Sequence, residues 1–228
     1  MKKKISIVLY TFILFVISAS LILTLIVPET FDYIYGYFLF RKIGNNLTVN
    51  IKNDFDKAAN VAFWVFDTIK ALEPYQRSRF MPVIDDNFLN IYRRGFGYCD
   101  QSAHVYATMM SWLGFETRLL MLKKEDGTSP HTVALVKVNN TFMVVDTYFG
   151  FIFADSQKNP VALDKLEGSP VFDDYINMIN VRRAAQGRDK IELKASWFKN
   201  GIYFETFPYI KDMNAGVIYK RLLDKLRR

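Results

Sequence analysis

The stretch RRGFGYCDQSAHVYATMMSWLGFETR, residues 93–118, decides the fold and contains the single cysteine of the chain, Cys99. Two glycines lie just before the cysteine, and the residues after it include neither glycine nor proline until Gly114. This placement of the glycines predicts a helix over residues 99–113 that ends at Gly114. Apolar residues occupy nearly all faces of this helix, so we expect it to be buried at the centre of the domain.

Two strand-like runs follow, HTVALVKV (131–138) and TFMVVDTY (141–148), and Asn139-Asn140 lies between them. Asparagine tolerates positive φ, so this link predicts a tight two-residue hairpin. Both runs are apolar on both faces, which predicts a sheet that is covered on each side. A third strand is predicted in ETRLLML (116–122).

The hairpin register brings a histidine and an aspartate together. With the two asparagines as the turn, Val133 lies opposite Asp146, and His131 lies opposite Tyr148. Residues two apart on a strand share a face, so His131 and Asp146 become diagonal neighbours, with Cβ atoms somewhat under ~7–8 Å apart. A register slip of one residue would destroy this arrangement. Asp146 lies within an apolar run and needs a partner if buried, and His131 is nearest.

Cys99 is predicted to be a nucleophile. The thiolate is the reactive form of cysteine, and a helix N-terminus favours negative charge. With His131 as the base and Asp146 as its orienter, the three residues match the arrangement that activates a thiol. The alternative is a structural Asp–His hydrogen bond beside a cysteine that packs as a small apolar residue.

Other candidates for the site are weaker. His104 is turned about 140° around the helix from Cys99, which favours a structural role. An oxyanion hole requires a second donor besides the Cys99 backbone N–H, and Trp64 and Gln76 are nominated for it. Asp100 is placed to interact favourably with the helix N-terminus, although its charge opposes thiolate formation at Cys99.

Composition excludes several classes of function. The net charge is +7, but much of the excess lies in the terminal stretches MKKK and YKRLLDKLRR. The middle of the chain has no basic stripe, so we expect no nucleic-acid partner. A single cysteine excludes an intramolecular disulfide, and with only two histidines the chain is poorly suited to a protein-built zinc centre. We therefore expect no metal and no cofactor.

The N-terminus predicts a membrane anchor. Three lysines precede an uncharged apolar run over residues 5–27, and a helix of that length can cross a hydrocarbon core of ~30 Å. The lysines favour a cytoplasmic N-terminus and thus an extracytoplasmic domain, at the cell surface or in a periplasm. The alternative is a cleaved signal peptide with SAS at 18–20 as its cleavage site.

We predict four regions along the chain: the tip and anchor (1–27), a juxtamembrane segment (28–52), the core (53–166) and a C-terminal extension that packs on the core (167–228). The core is expected to open with a helix that starts at Asn53 or Asp54 and ends at Glu73-Pro74.

Three elements are predicted in the extension. FDDYINMINVRRAAQ (172–186) indicates a helix, WFKNGIYFE (197–205) indicates a hairpin around Asn200-Gly201, and the C-terminus is expected to form a basic helix.

Two stretches of the sequence resemble the transglutaminase-like superfamily of papain-like cysteine enzymes, particularly its bacterial members. They are GFGYCDQSAHVYATMMSWLGFETR and HTVALVKVNNTFMVVDTYFG. The shared motifs are a Gly-x-Gly-x-Cys helix with a Leu-Gly-x-x-x-Arg end, a histidine-led strand and an aspartate-ended strand. The resemblance extends over about residues 53–166. It implies an α+β fold with a central buried helix packed on an antiparallel sheet. It also implies that Cys99 is the nucleophile, His131 the base and Asp146 its orienter.

The resemblance implies an activity as well. We expect acyl transfer or hydrolysis at an amide or ester bond through a thioester on Cys99. The expected substrate is a peptide or protein, including one linked to an envelope glycan. Members often carry tryptophan at the positions of Val133 and Phe142, and these departures concern substrate choice. The superfamily also contains members without enzymatic activity, so the alternative is a domain that binds peptide or glycan at the cell envelope.

Overall fold

A computed structural model describes residues 9–20, 28–72 and 87–205 of the chain. The chain divides into two compact units, Met1–Leu39 with Tyr209–Arg228, and Phe40–Pro208. In the first unit, residues 9–20 form a helix (α1). Helix α2 spans Pro28–Thr48. No helix among the described residues has the length and apolar character needed to cross a membrane. The predicted span, residues 5–27, lies partly outside the described residues.

The second unit begins with helices separated by short strands and continues with four consecutive strands. After α2 come helix α3 (Asp54–Thr68), strand β1 (Lys70–Ala71), helix α4 (Phe88–Arg94), strand β2 (Phe96–Gly97) and helix α5 (Cys99–Trp112). Strands β3 (Thr117–Met121), β4 (Thr132–Val138), β5 (Thr141–Asp146) and β6 (Phe151–Ile152) follow. A 3-10 turn (Leu163–Lys165), helix α6 (Pro170–Ala185), helix α7 (Ala195–Lys199) and strand β7 (Ile202–Glu205) complete the described part. This mixed content agrees with the predicted α+β class.

Helix α5 is the central buried helix that the sequence predicts. Apart from the partly buried His104, every residue from position 101 to position 110 is buried. The helix is capped by Tyr98 in an extended conformation, and Gly114 follows it with φ of 94°. The predicted helix and its glycine stop are therefore confirmed.

The main sheet has five antiparallel strands in the order β6-β5-β4-β3-β7. Asn139 and Asn140 form the turn between β4 and β5 with φ of 49° and 63°. Val138 pairs with Thr141, and Ala134 pairs with Val145. The predicted hairpin and its register are therefore confirmed.

Both faces of this sheet are covered, as the apolar runs predict. Helix α5 packs against β3 and β4. The alternate residues of the strands point to the opposite face, where they join a buried cluster with side chains from the C-terminal part of the chain. Its members include Leu120, Val133, Leu135, Val144, Phe153, Leu166, Phe172, Tyr175, Ile179, Trp197 and Phe198.

Helix α3 ends earlier than predicted. Its N-cap is Asn53, whose side chain accepts a hydrogen bond from the Phe55 N–H at 2.7 Å. The helix stops at Thr68 instead of continuing to Glu73. The reason is that the next residues, in β1, pair in parallel with β2, so the backbone must already be extended there.

The helix predicted over residues 172–186 is confirmed by α6. The hairpin predicted over residues 197–205 is wrong. Trp197 and Phe198 lie in helix α7, and the residues after Gly201 form β7, which pairs with β3. Trp197 and Phe198 are 5% and 0% exposed. Two consecutive buried side chains suit a helix packed on a core better than a strand with one covered face. The predicted basic C-terminal helix lies outside the described residues.

Candidate active site

Cys99 is the first residue of α5 and is half-buried. The loop before it is held by the two-stranded sheet: the Lys70 N–H donates to the Gly95 carbonyl at 2.9 Å, and the Leu72 N–H donates to the Gly97 carbonyl at 2.8 Å. The first N–H groups of a helix have no intrahelical acceptor. The chain therefore presents the cysteine at an electropositive helix start.

Two polar side chains brace the same loop. The buried Gln101 accepts hydrogen bonds at Oε1 from Arg94 Nη2 at 2.9 Å and from the Tyr98 N–H at 3.1 Å. Arg94 Nε also donates to the Phe96 carbonyl at 2.9 Å. Sequence reasoning missed this bracing, although a glutamine three residues after a helix N-cap is a known signal for such a contact.

His131 and Asp146 are in direct contact, as the hairpin register predicts. His131 Nε2 lies 2.7 Å from Asp146 Oδ2, and the two residues are only 4% and 1% exposed. The imidazole lies beside two aromatic rings, with centroid distances of 5.8 Å to Tyr148 and 5.2 Å to Phe149. The pair is thus shielded from solvent and held in place by packing.

The Asp146 carboxylate accepts further hydrogen bonds. Its Oδ1 accepts from the backbone N–H groups of Tyr148 and Phe149, each at 3.0 Å. Its Oδ2 accepts from the Tyr175 hydroxyl at 2.6 Å in addition to its contact with His131. Sequence reasoning also missed Tyr175, because it lies 29 residues further along the chain in α6.

The charges of the site outweigh the effect of burial. Burial by itself lowers the pKa of His131, but the charges of Asp146 and Cys99, and hydrogen bonds to both, raise that pKa to about 10. Burial likewise raises the pKa of Asp146, but the charge of His131 and the hydrogen bonds from His131, Tyr175 and Phe149 lower it on balance. The histidine is therefore stabilised as an imidazolium beside the Asp146 carboxylate.

The other two predicted residues both act on the imidazole. Its Nε2 is engaged with Asp146 at 2.7 Å, and Cys99 lies near enough to raise the pKa of His131. Because a histidine ring has two nitrogens, Nδ1 is the atom that remains for the sulfur. The structure therefore brings Cys99, His131 and Asp146 together in the order of a triad, although their catalytic role remains a prediction.

A buried contact ties the cysteine helix to the aspartate strand. The Ser102 hydroxyl donates to Thr147 Oγ1 at 2.8 Å, and both residues are 1% exposed. Ser102 lies one turn beyond Cys99, and Thr147 directly follows Asp146. This bond fixes the distance between the element that carries the thiol and the element that carries the carboxylate.

The remaining candidates lie elsewhere or cannot be placed. His104 is partly buried on α5, and Asp100 is exposed at the start of that helix, where it accepts a hydrogen bond from the Gln101 N–H at 3.0 Å. Trp64 stacks on Tyr92 with a centroid distance of 5.8 Å. Gln76 lies outside the described residues. Within the described ranges, no three His, Cys, Asp or Glu side chains are grouped so that they could hold a metal ion.

The model of the transglutaminase-like superfamily matches residues 41–147, a range that contains all three residues of the site. This stretch, just under half of the chain, is therefore similar to the transglutaminase-like superfamily. No curated protein matches the sequence.

Solved structures similar to this chain share little sequence with it. They include a candidate cysteine protease from Cytophaga hutchinsonii (11% identity, TM-score 0.40, covering 49% of this chain and 37% of that one). Another is a candidate protease from Parabacteroides distasonis (10% identity, TM-score 0.40, covering 47% of this chain and 23% of that one). A third is a TGase (14% identity, TM-score 0.37, covering 49% of this chain and 30% of that one). The chain thus spans well under half the length of these proteins.

Proposed function

We propose that the protein is a cysteine enzyme that transfers or hydrolyses acyl groups at amide or ester bonds, with Cys99, His131 and Asp146 as its catalytic triad. The observation that carries this proposal is the imidazole of His131, which is joined to Asp146 at 2.7 Å and lies near enough to Cys99 for that residue to raise its pKa. A nucleophile, a base and an orienting carboxylate in this order activate a thiol regardless of the order of the residues in the chain.

In the first half of the reaction, His131 takes the proton of the Cys99 thiol, and the thiolate–imidazolium pair forms. The sulfur then attacks the substrate carbonyl, and the electron pair of the C=O bond moves to oxygen. When the tetrahedral intermediate collapses, the imidazolium donates its proton to the departing amine or alcohol. An acyl thioester on Cys99 remains.

In the second half, water or an amine attacks the thioester while His131 removes its proton. Collapse of this second intermediate expels the Cys99 sulfur as a thiolate, and His131 keeps the proton, so the thiolate–imidazolium pair is restored. Asp146 keeps Nε2 protonated throughout, so that Nδ1 is the nitrogen that exchanges the proton. The backbone N–H of Cys99, at the start of α5, is suitably placed to donate to the developing oxyanion.

Alkylation of the thiol tests the triad directly. Because the chain has one cysteine, iodoacetamide reports on Cys99 without any other substitution. We expect the full-length protein in detergent to be alkylated at pH 7 at least about tenfold faster than its His131→Ala variant, since the thiolate is the reactive form. The matched control is His104→Ala, which loses the other imidazole and should alkylate like the wild type. Equal rates in wild type and a folded His131→Ala variant would contradict the proposal.

An acyl-enzyme is the second expected product. After brief exposure to p-nitrophenyl acetate, the intact mass of the protein should increase by one acetyl group, and the increase should be absent in Cys99→Ala. We expect hydroxylamine, which cleaves thioesters, to remove the group. A protein that never acquires it, yet binds envelope peptides or glycans equally well after Cys99→Ala, would instead be a non-catalytic binding domain.

We also propose that a helix over residues 5–27 anchors the protein in a membrane, with the domain outside the cytoplasm and with envelope peptides or proteins as its substrates. This proposal rests on the three N-terminal lysines and the uncharged apolar run that follows them. A C-terminal fusion to alkaline phosphatase should be active in bacterial cells, and the protein should keep its N-terminus after membrane extraction. An inactive fusion would contradict the orientation, and a shortened N-terminus would indicate a cleaved signal peptide.

A further inference from the structure

The Asp146 carboxylate is held by two parts of the chain. The turn after β5 supplies two backbone donors to Oδ1, from Tyr148 and Phe149. Helix α6 supplies the Tyr175 hydroxyl to Oδ2, the oxygen that also meets His131. Tyr175 lies beyond residues 41–147, the range that the superfamily model matches, so the C-terminal part of the chain reaches into the site.

We propose that Tyr175 is a positioning residue of the catalytic centre, which orients the Asp146 carboxylate toward His131. The proposal rests on the proposed function, because it assigns a role within the same triad. Rotation of the carboxylate about its Cβ–Cγ bond would break the bonds at both oxygens at once. Without the phenol, Oδ2 would keep only its contact with the imidazole, and the orientation of that contact would be less constrained.

The packing of Tyr175 does not require a hydroxyl. Its ring lies against aromatic rings, with centroid distances of 4.7 Å to Phe153, 5.1 Å to Phe151 and 6.3 Å to Phe198. A phenylalanine would fill the same space. A buried hydroxyl is costly unless it is hydrogen-bonded, and this one is bonded to Asp146. The polar atom therefore serves the carboxylate and not the aromatic cluster.

The phenol also affects the proton on His131. The Tyr175 hydroxyl donates to Oδ2 and so weakens the attraction of that oxygen for the proton on His131 Nε2. If the hydroxyl is removed, the carboxylate loses a donor and its pKa rises. The remaining charge also holds the proton of Nε2 more strongly, so the pKa of His131 rises further. A residue that only filled the core would change neither value.

Helix α6 makes a second contact with the same region. Arg182 donates a hydrogen bond from Nη1 to the carbonyl of Phe149, in the turn that supplies the Oδ1 donors. Tyr175 and Arg182 lie two turns apart on α6, so a single helix contacts both the aspartate and its turn. This placement supports a positioning role for the helix.

The test compares Tyr175→Phe with Tyr106→Phe in the full-length protein. Tyr106 is a suitable control because it is also fully buried and donates a hydrogen bond, to the Ala58 carbonyl at 3.3 Å, but it lies on α5 and does not contact Asp146. Three measurements are made on each variant: the NMR titration midpoint of the His131 ring, turnover of p-nitrophenyl acetate, and urea unfolding to verify the fold.

We expect Tyr175→Phe to raise the His131 midpoint by at least about 0.5 unit and to lower kcat about tenfold, as for loss of a hydrogen bond to a charged group. KM should stay within about twofold, since the hydroxyl does not touch substrate. Tyr106→Phe should change neither the His131 midpoint nor kcat nor KM. If Tyr175→Phe changes the midpoint and kcat no more than Tyr106→Phe does, the proposal is overturned.

Two further outcomes separate this proposal from the proposed function. If the wild type does not turn over the ester but the midpoint still rises in Tyr175→Phe, the coupling of Tyr175 to the pair is supported and the acyl-transfer proposal fails. If Tyr175→Phe folds but is less stable than Tyr106→Phe, the comparison is repeated in the Asp146→Asn background. There, removal of the hydroxyl should lower the unfolding midpoint less than in the wild type, and an equal loss would overturn the proposal.

Discussion

His131 and Asp146 form a buried pair in which charge interaction outweighs the effect of burial. The pKa of His131 is raised and that of Asp146 is lowered, because the two groups lie 2.7 Å apart in a site that excludes water. Removal of one partner of such a pair typically costs about 3–5 kcal/mol, since it leaves an uncompensated buried charge. The two residues therefore contribute to the stability of the fold as well as to the proposed chemistry.

The pair predicts that stability falls as the pH rises. Folded His131 keeps its proton up to a pKa of about 10, whereas an unfolded histidine loses it near ~6.5. Its contribution is thus fully present below pH ~6.5 and is lost as the pH approaches 10. In that window the free energy of unfolding should fall by about 1.4 kcal/mol per pH unit from this group alone.

Urea unfolding between pH 6 and 10 measures this slope, with His131→Gln as the control that lacks the titrating group. Parallel curves for the two proteins would show that His131 is not protonated in the fold. Asp146 acts in the opposite range: because its pKa is lowered, its contribution is present above the ordinary pKa of ~3.9 and is lost as the pH falls.

Among the elements, the turn between β5 and β6 connects the site to helix α3. This turn contains the two backbone donors to Asp146, and it ends at Gly150 with φ of 67°. The ring of Phe66, on α3, packs directly against Gly150, where a Cβ atom would lie 2.9 Å from the ring. Both the backbone conformation and the close approach therefore require glycine at this position.

We expect Gly150→Ala to lower the free energy of unfolding by about 2 kcal/mol or more. Positive φ costs an alanine about 1 kcal/mol, and displacement of the Phe66 ring adds to it. The control is Gly168→Ala, because Gly168 has a similar φ of 72° but no atom within 4 Å of the added Cβ. Urea unfolding should show a smaller loss for Gly168→Ala. Equal losses would mean that the contact with Phe66 is unimportant.

For the fold as a whole, the described residues from α6 to β7 (170–205) complete the core. Residues from α6 and α7 cover one face of the main sheet, and β7 adds its fifth strand. Helix α7 also contacts the loop before His131, since the Lys123 N–H donates to the Trp197 carbonyl at 3.2 Å. Folding of the site therefore depends on residues far outside the matched range of 41–147.

Loss of this packing should be costly. Phe198 is 0% exposed and lies in the core cluster, so Phe198→Ala should cost about 3–5 kcal/mol, the usual range for a buried phenylalanine. Val181, on α6, is 60% exposed, so Val181→Ala should cost less than about 0.5 kcal/mol. Urea unfolding of both variants measures the difference. A small loss for Phe198→Ala would mean that the C-terminal part is not integral to the core.

The features predicted correctly from the sequence are local ones. Helix α5 follows from its composition and its glycine stop, and the hairpin register follows from two asparagines and the strict alternation of side chains in a strand. That register was sufficient to predict the contact between His131 and Asp146. The domain boundaries at residues 53 and 166, the membrane anchor and the catalytic roles remain predictions.

The features that were missed or wrong depend on partners far away in the chain. Helix α3 ends early because β1 pairs with β2, and residues 197–199 are helical because Trp197 and Phe198 pack into the core. The contact between Tyr175 and Asp146 joins two segments whose spacing carries no periodic signal. No local pattern indicates such contacts, because they form only when the chain is folded.

The sequence by itself determined which residues are paired across the hairpin, since a two-residue turn and the two-residue repeat of a strand leave one register in which the apolar residues are buried. It also determined that the cysteine begins a helix. Only the tertiary structure decided how these elements meet: that the thiol lies near the imidazole, and that a tyrosine from α6 holds the carboxylate. The physical reason is that helix packing and buried hydrogen bonds depend on distances in space, which short stretches of sequence do not specify.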